Sequence, residues 1–500
     1  VPIRWNPILL LAAGAIFPLA FAPTNFFPIG FIAPTVLYLF CENVSPNQAF
    51  QNGYWFGLAC FGVGVSWLFV SIHDMGHLSF WLAGLLSSIF VAILAIFPAL
   101  QGYIFARFFP GDRPTHAILT FPALWVALEI LRSWLFTGFP WLSLGYSQVE
   151  SPLRGFAPIV GLFGVSFAAA ATGGLFLCFW RGKTVFIRVI WGTVLFLLLG
   201  SAWYFSEIEW TIPNGSPFKV TLLQAAIPQQ VRWDPEERIS TIRKYIELTR
   251  EHIGTPLIVW PENALTVFYH QAAKFLTSFS QEAHEQGSEL LVGLPFLDQD
   301  TAPGDPIRYY NALVRLPDPA FYFKSHLVPF SEFLPFKAEL KPLVSFFQAP
   351  MSDFSHGPTD QKPMLLAGHW FGLSICYEAA FPREIAVALP KAEVLLNVSN
   401  DGWFGNSLAP YQNLQITQMR ALETGRWVLR DTNTGISAFI DANGKIRSRS
   451  PIFQDYALTD EVQPMVGMTP YSLLGDIPIL AWIAISLAAG RITRRRLSGE

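Results

Sequence analysis

His369–Pro382 reads HWFGLSICYEAAFP. Phe371, Leu373 and Ile375 alternate with Gly372 and Ser374, the two-residue period of a strand, and the run delivers Cys376 to the strand end with Tyr377 and Glu378 directly behind it. A nucleophile would sit at such a position. Two further strand-like runs upstream end on polar residues: PLIVWPENA brings Glu262, and FYFKSHLVPFSEF brings Lys324. A carboxylate can take a thiol proton and an ammonium can hold an oxyanion, so the three types together form a plausible catalytic set.

Working outward, the texture from Phe218 onward is of strands alternating with helices. FKVTLLQAAIP, PLIVW, ELLVGLPF, NALVRL, FYFKSHLV, WFGLSIC, EVLLNVS, WVLRDTN and SAFID read as strands. Pro235–Ile253 reads as an amphipathic helix whose apolar side carries Ile239, Ile242 and Ile246, and Pro382–Leu389 and Tyr411–Arg426 read as helices. Continuous apolar strands separated by helices predict an α/β layered domain covered by helices on both sides.

The first two-fifths of the chain is different. The whole sequence is 52% apolar and only 14% charged, with a mean hydropathy of +0.37, which is outside the balance of a soluble globular protein. Residues 1–206 hold 8 Lys+Arg and 5 Asp+Glu, leaving 56 of the 69 charged residues to the rest. Seven apolar segments precede residue 207: Pro7–Ala22, Phe27–Cys41, Tyr54–Ile72, Phe80–Ala106, Ile118–Phe136, Ile159–Trp180 and Val185–Tyr204. An eighth, Ile477–Ile492, lies near the end. Most approach the ~20 residues a spanning helix needs. Pro23, Pro28 and Pro34 interrupt the first two, which could instead form a re-entrant hairpin. The expected division is a seven-helix membrane bundle over 1–206, a water-facing domain over 207–472, and an eighth helix with a basic tail over 473–500.

Basic residues in short loops orient such a bundle. Arg107 and Arg113, then Arg181, Lys183 and Arg188, then Arg491 and Arg494–Arg496 fall on one side, which is therefore expected to be cytoplasmic, with the large domain on the outer face. Glu129 and Arg132 near the end of the fifth segment read as a structural ion pair, and Phe136–Gln148 as a vestibule beneath the domain. A net charge of −3 without a basic face argues against nucleic acid. Of the four cysteines only Cys376 lies in the polar domain, and no Cys/His spacing suits a metal, so neither metal nor cofactor is expected.

VWPENA, FYFKSHLVPFSEFLP and SICYE, taken in order, resemble the Glu-Lys-Cys signature of the nitrilase, or carbon-nitrogen hydrolase, superfamily. With the membrane segments and with NVSNDGWFG and MRALETGR downstream, the whole chain resembles the membrane-bound branch of that superfamily, the bacterial apolipoprotein N-acyltransferases. The resemblance implies an α-β-β-α sandwich standing on about eight membrane helices. It implies Glu262 as base, Lys324 as oxyanion partner and Cys376 as nucleophile, with Glu332, Glu378 and Tyr377 in support and Trp233 on the substrate side. It further implies a phospholipid acyl donor, typically phosphatidylethanolamine, a diacylglyceryl apolipoprotein acceptor, and the bacterial inner membrane with the catalytic domain periplasmic and the termini cytoplasmic.

A membrane-tethered amidase or nitrilase acting on a small C–N substrate would use the same three residues. Eight lipid-contacting segments favour acyl transfer over that reading, because a soluble substrate gives no reason for them. The apolar stretch Phe333–Pro358, beginning directly after Glu332, reads as a lid over the pocket.

Overall fold

The computed structural model describes residues 7–299, 307–335 and 353–498, with side chains as far as residue 492. Most of the expected lid, residues 336–352, lies outside the described residues.

Helices occupy all eight apolar segments, and among the described residues three are long and apolar enough to cross a membrane: Phe80–Phe108, Pro152–Arg181 and Val185–Ser206. A fourth candidate, Pro46–Gly64 with Trp67–Met75, bends by 52° at its break. Burial separates their roles. The 152–181 helix forms the centre of the bundle, with Leu162, Val165, Ala169 and Leu175 sealed, whereas Val185–Ser206 buries only Ala202. Phe186, Val189, Phe196, Leu197 and Trp203 of that helix face outward, an apolar surface that water would disfavour and lipid accepts. The first two helices, Pro7–Ala20 and Ile29–Cys41, are shorter.

The second half is a two-sheet sandwich, preceded by β1 (Ile212–Pro213), which pairs antiparallel with β14 (Met465–Val466) in a separate two-stranded ribbon. In one sheet β13 (Tyr456–Val462), β2 (Phe218–Gln224), β3 (Leu257–Trp260), β4 (Glu289–Asp298), β5 (Arg308–Leu316) and β6 (Ala320–Phe323) lie in that order. In the other the order is β12 (Ile446–Arg449), β11 (Ala438–Ile440), β10 (Trp427–Thr432), β9 (Val394–Ser399), β8 (His369–Ile375) and β7 (Met364–Leu366). The central strands β2, β3 and β4 run parallel, as do β8, β9 and β10, and antiparallel strands flank them. Leu222, Val259, Leu291 and Leu313 of the first sheet pack against Phe371, Ile375, Leu396 and Leu429 of the second, forming a dry interior.

Helices cover both outer faces. Arg238–Arg250 and Tyr269–Glu285 pack on the first sheet through Tyr245, Leu276, Phe279 and Ala283. Pro382–Ala386 and Ala409–Thr424 cover the second through Ile385, Leu414 and Ala421. The order of layers is α-β-β-α. The Arg238–Arg250 helix meets the expectation in part: Ile242 and Ile246 pack against the core, but Ile239 is 70% exposed, and the buried positions are Thr241, Tyr245 and Thr249. The cause is Trp260, which stacks on Tyr245 at 4.9 Å and donates its indole N–H to Thr249 Oγ1.

The sandwich and the bundle share a core. Tyr377, Ala380, Phe381, Ile416 and Met419 belong to the same buried cluster as Phe17, Trp125 and Trp141. Phe136–Gln148, expected as an open vestibule, is a packed floor between the two, with Trp141, Leu142, Leu144 and Tyr146 all buried. Glu129 and Arg132 do not pair with each other. Glu129 accepts from Trp125 Nε1 and Leu144 N, and Arg132 donates to the Phe139 and Trp141 carbonyls, so both charges are used to fold the floor.

Candidate active site

Glu262 follows β3 by two residues, Lys324 directly follows β6, and Cys376 directly follows β8. Two sheets therefore deliver three groups to one end of the sandwich. Cys376 sits at φ +54°, a left-handed conformation that costs a side-chain-bearing residue of order 1 kcal/mol and turns the chain sharply from strand into a short 3-10 helix.

The Lys324 ammonium is 1% exposed and lies 2.8 Å from Glu332 Oε1 and 3.3 Å from Glu262 Oε1. Burial alone would lower its pKa, yet the two carboxylates hold it well above the ordinary lysine value, so the cation is permanent. Glu262 Oε1 also accepts from Asn311 Nδ2 at 2.7 Å, and its Oε2 accepts from Asn400 N at 2.8 Å. Arg232 donates to the backbone carbonyls of Glu262 and Asn263 and so fixes the turn that carries the carboxylate.

Cys376 keeps part of its surface open. Burial first, and the Glu262 charge second, push the thiol up to about 12, while Lys324 and a hydrogen bond from Ser399 pull the other way. Its resting form is the neutral thiol, which needs a base at the moment of attack.

The supporting carboxylates clamp the frame. Glu332 Oε2 accepts from Val328 N at 2.8 Å while its Oε1 holds Lys324 and Asn311. Glu378 crosses between the sheets. Oε2 accepts from Ile375 N and from the Tyr322 hydroxyl, and Oε1 accepts from Ser325 N, Ser325 Oγ and His326 N. Its pKa is raised, burial outweighing those bonds. Tyr377 points toward the membrane side: its hydroxyl donates to Gly138 O at 2.7 Å, and its ring stacks on Trp141 at 5.7 Å. Trp233 lies on an exposed turn next to the buried Arg232, 46% accessible. His326 has its two ring nitrogens on Glu384 Oε1 and Thr137 O, a structural bridge to the floor.

Asn311 joins the site without being among the residues expected there. It lies in β5, is 1% exposed, and its amide nitrogen lies within hydrogen-bonding distance of both Glu262 and Glu332. An asparagine opening the apolar run NALVRL is the signal that marks it, because a buried amide in a strand needs polar partners.

Similarity to other proteins runs over nearly the whole chain. Residues 13–175 match the apolipoprotein N-acyltransferase N-terminal domain, and residues 219–471 match the carbon-nitrogen hydrolase family. The apolipoprotein N-acyltransferase of Methylococcus capsulatus is 44% identical over 489 residues, covering 97% of this chain and 94% of its own length. That of Coxiella burnetii is 40% identical, covering 96% and 99%, and that of Azotobacter vinelandii is 40% identical, covering 98% and 95%. With both halves matched and relatives of this identity spanning nearly its full length, the chain belongs to the apolipoprotein N-acyltransferase family, an acyltransferase branch built on the carbon-nitrogen hydrolase fold.

Proposed function

We propose that this protein moves an acyl chain from a membrane phospholipid, through a thioester on Cys376, to the free N-terminal amine of a diacylglyceryl-cysteine apolipoprotein. The observation that carries the reading is the seating of the cysteine turn on the membrane bundle, where Tyr377 bonds to Gly138 and packs on Trp141. A catalytic end pressed against membrane helices suits a substrate that stays in the bilayer. Phosphatidylethanolamine is the proposed donor, and Trp233 lines the approach.

Glu262 takes the thiol proton as sulfur attacks the ester carbonyl. The tetrahedral oxyanion lies by the Lys324 ammonium, an interaction typically worth ~3 kcal/mol of barrier. Collapse expels the lysophospholipid oxygen, which takes the proton from Glu262 and leaves the thioester. The acceptor amine then attacks, Glu262 takes its proton, the carbon–sulfur bond breaks, and the proton returns to sulfur. Glu332 and Asn311 keep Lys324 and Glu262 in place throughout. The two steps exchange one carbonyl derivative for another, and an amide is the more stable product.

Purified protein supplied with phospholipid vesicles and a peptide bearing an N-terminal diacylglyceryl cysteine is expected to yield the N-acylated peptide and lysophospholipid in equal amounts. Hydrolysis of small amides without peptide acylation would support the tethered-amidase alternative instead. The sandwich is proposed to face the periplasm from the inner membrane with both termini cytoplasmic, so protease added to spheroplasts should cut within 207–472. Cleavage only after the membrane is breached would reverse that orientation.

A further inference from the structure

β8 and β9 run parallel with Ser374 opposite Asn397 and Ile375 opposite Val398. The next step of that register sets Ser399 beside Cys376. Ser399 is fully buried, and its hydroxyl lies 3.1 Å from Asp401 Oδ1. Asp401 does not depend on it. Arg430 Nη2 reaches both carboxylate oxygens at 3.0 and 2.9 Å, and Asn413 Nδ2 reaches Oδ1 at 3.2 Å. The other face of the carboxylate is walled by Gly435, where a Cβ would come within 2.1 Å of Oδ2. Asp401 is thus locked in place with its oxygens already satisfied, and the Ser399 hydroxyl is left free to rotate between that carboxylate and the neighbouring sulfur.

The same guanidinium anchors the cysteine turn. Arg430 Nη1 donates to Asn397 Oδ1 at 2.7 Å, and Asn397 Nδ2 reaches Ser374 Oγ at 3.0 Å and Cys376 O at 3.4 Å. One buried arginine therefore holds both the turn that carries the thiol and the carboxylate beside the serine.

We propose that the Ser399 hydroxyl is a further catalytic group, a hydrogen-bond donor to the Cys376 thiolate in both half-reactions. The proposal rests on the reading of Cys376 as the nucleophile. When Glu262 takes the thiol proton, the hydroxyl turns from Asp401 Oδ1 to sulfur and stabilises the negative charge. As the sulfur–carbon bond forms, sulfur loses that charge and the hydroxyl returns to Asp401. In the second half the carbon–sulfur bond breaks, its electron pair goes back to sulfur, and the hydroxyl turns again until the proton returns from Glu262. Ser399 keeps its own proton at every step. The Ser399 hydrogen bond acting against burial and the Glu262 charge at Cys376 agrees with this geometry.

The test is the rate of Cys376 alkylation by iodoacetamide, read by peptide mass spectrometry between pH 7 and 10 on the purified full chain in detergent. Hydrogen bonds to charged groups are strong enough that Ser399→Ala is expected to slow alkylation about tenfold or more and to move its rise to higher pH, with both acylation and amine transfer slowed in parallel. An alkylation curve superimposable on the wild type overturns the proposal. Should the alanine variant fail to fold, Ser399→Cys carries the same test, because a thiol is a weaker donor of similar shape. Its expected result is alkylation of Cys376 slowed at least threefold, and a wild-type rate is again contradictory. A Cys376→Ala protein that still transfers acyl chains would remove the nucleophile reading, a failure distinct from unchanged alkylation in the serine variants.

Discussion

The two sheets of the sandwich contribute unlike things to the site. One sheet, through β3, β5 and β6 and the loop that follows, supplies the charges around the lysine, Glu262, Lys324 and Glu332, with the neutral Asn311 amide bridging the two carboxylates. The other supplies a neutral thiol on a left-handed turn, backed by Asn397 and Ser399. Neither is reactive alone. The charged sheet has no nucleophile, and a thiol whose pKa is pushed up to about 12 is inert without a base. The chemistry therefore depends on how the sheets are registered against each other. Hydrogen bonds between the sheets hold that register, among them, at the site itself, Glu378 reaching from the thiol side to Ser325 and His326, and Asn400 N reaching Glu262.

The comparison breaks most completely on the charged side. Lys324→Ala removes the cation from a site that keeps Glu262 and Glu332, and acylation is expected to fall at least ~100-fold. Single-turnover release of lysophospholipid measures it, and near-normal release would assign the oxyanion to another donor. Cutting the link comes next. Glu378→Gln leaves an amide where five donors converge, so a loss of about 2 kcal/mol in stability and roughly tenfold in rate is expected. Thermal unfolding and turnover read the two separately, and a rate loss with no change in stability would mean that Glu378 acts on substrate. The smallest effect belongs to the membrane side. Tyr377→Phe deletes one hydrogen bond to Gly138 but keeps the stack on Trp141, so about 1 kcal/mol and less than tenfold in rate are expected. A complete loss of transfer would instead give that hydroxyl a direct part in the reaction.

The sequence displays both contributions more openly than the links between them. Glu262, Lys324 and Cys376 stand at the ends of short apolar runs, and local alternation places a strand end well. The packing of the floor is not local. Phe136–Gln148 is rich in Gly, Pro and polar groups, and nothing in it announces that Trp141 would be buried under Tyr377 or that Glu129 and Arg132 would turn to its backbone. The partners of Glu378 on the other side of the sandwich, Tyr322, Ser325 and His326, lie more than fifty residues away, so its role as a clamp follows only from the paired sheets. Other omissions were readable. Ala272, Leu276, Phe279 and Ala283 repeat at helical spacing and mark Tyr269–Glu285, a helix beyond those expected above. The edge strand β13 carries polar residues on its open face, which masked its alternation.

The most direct test of the account is the mass of the Cys376 peptide after purified protein is incubated with phospholipid and no acceptor. The account predicts an acyl chain on that peptide, removed when the diacylglyceryl peptide is added and absent in Cys376→Ala. Transfer to the acceptor by the Cys376→Ala protein, or an acyl chain carried on any other residue, would contradict it.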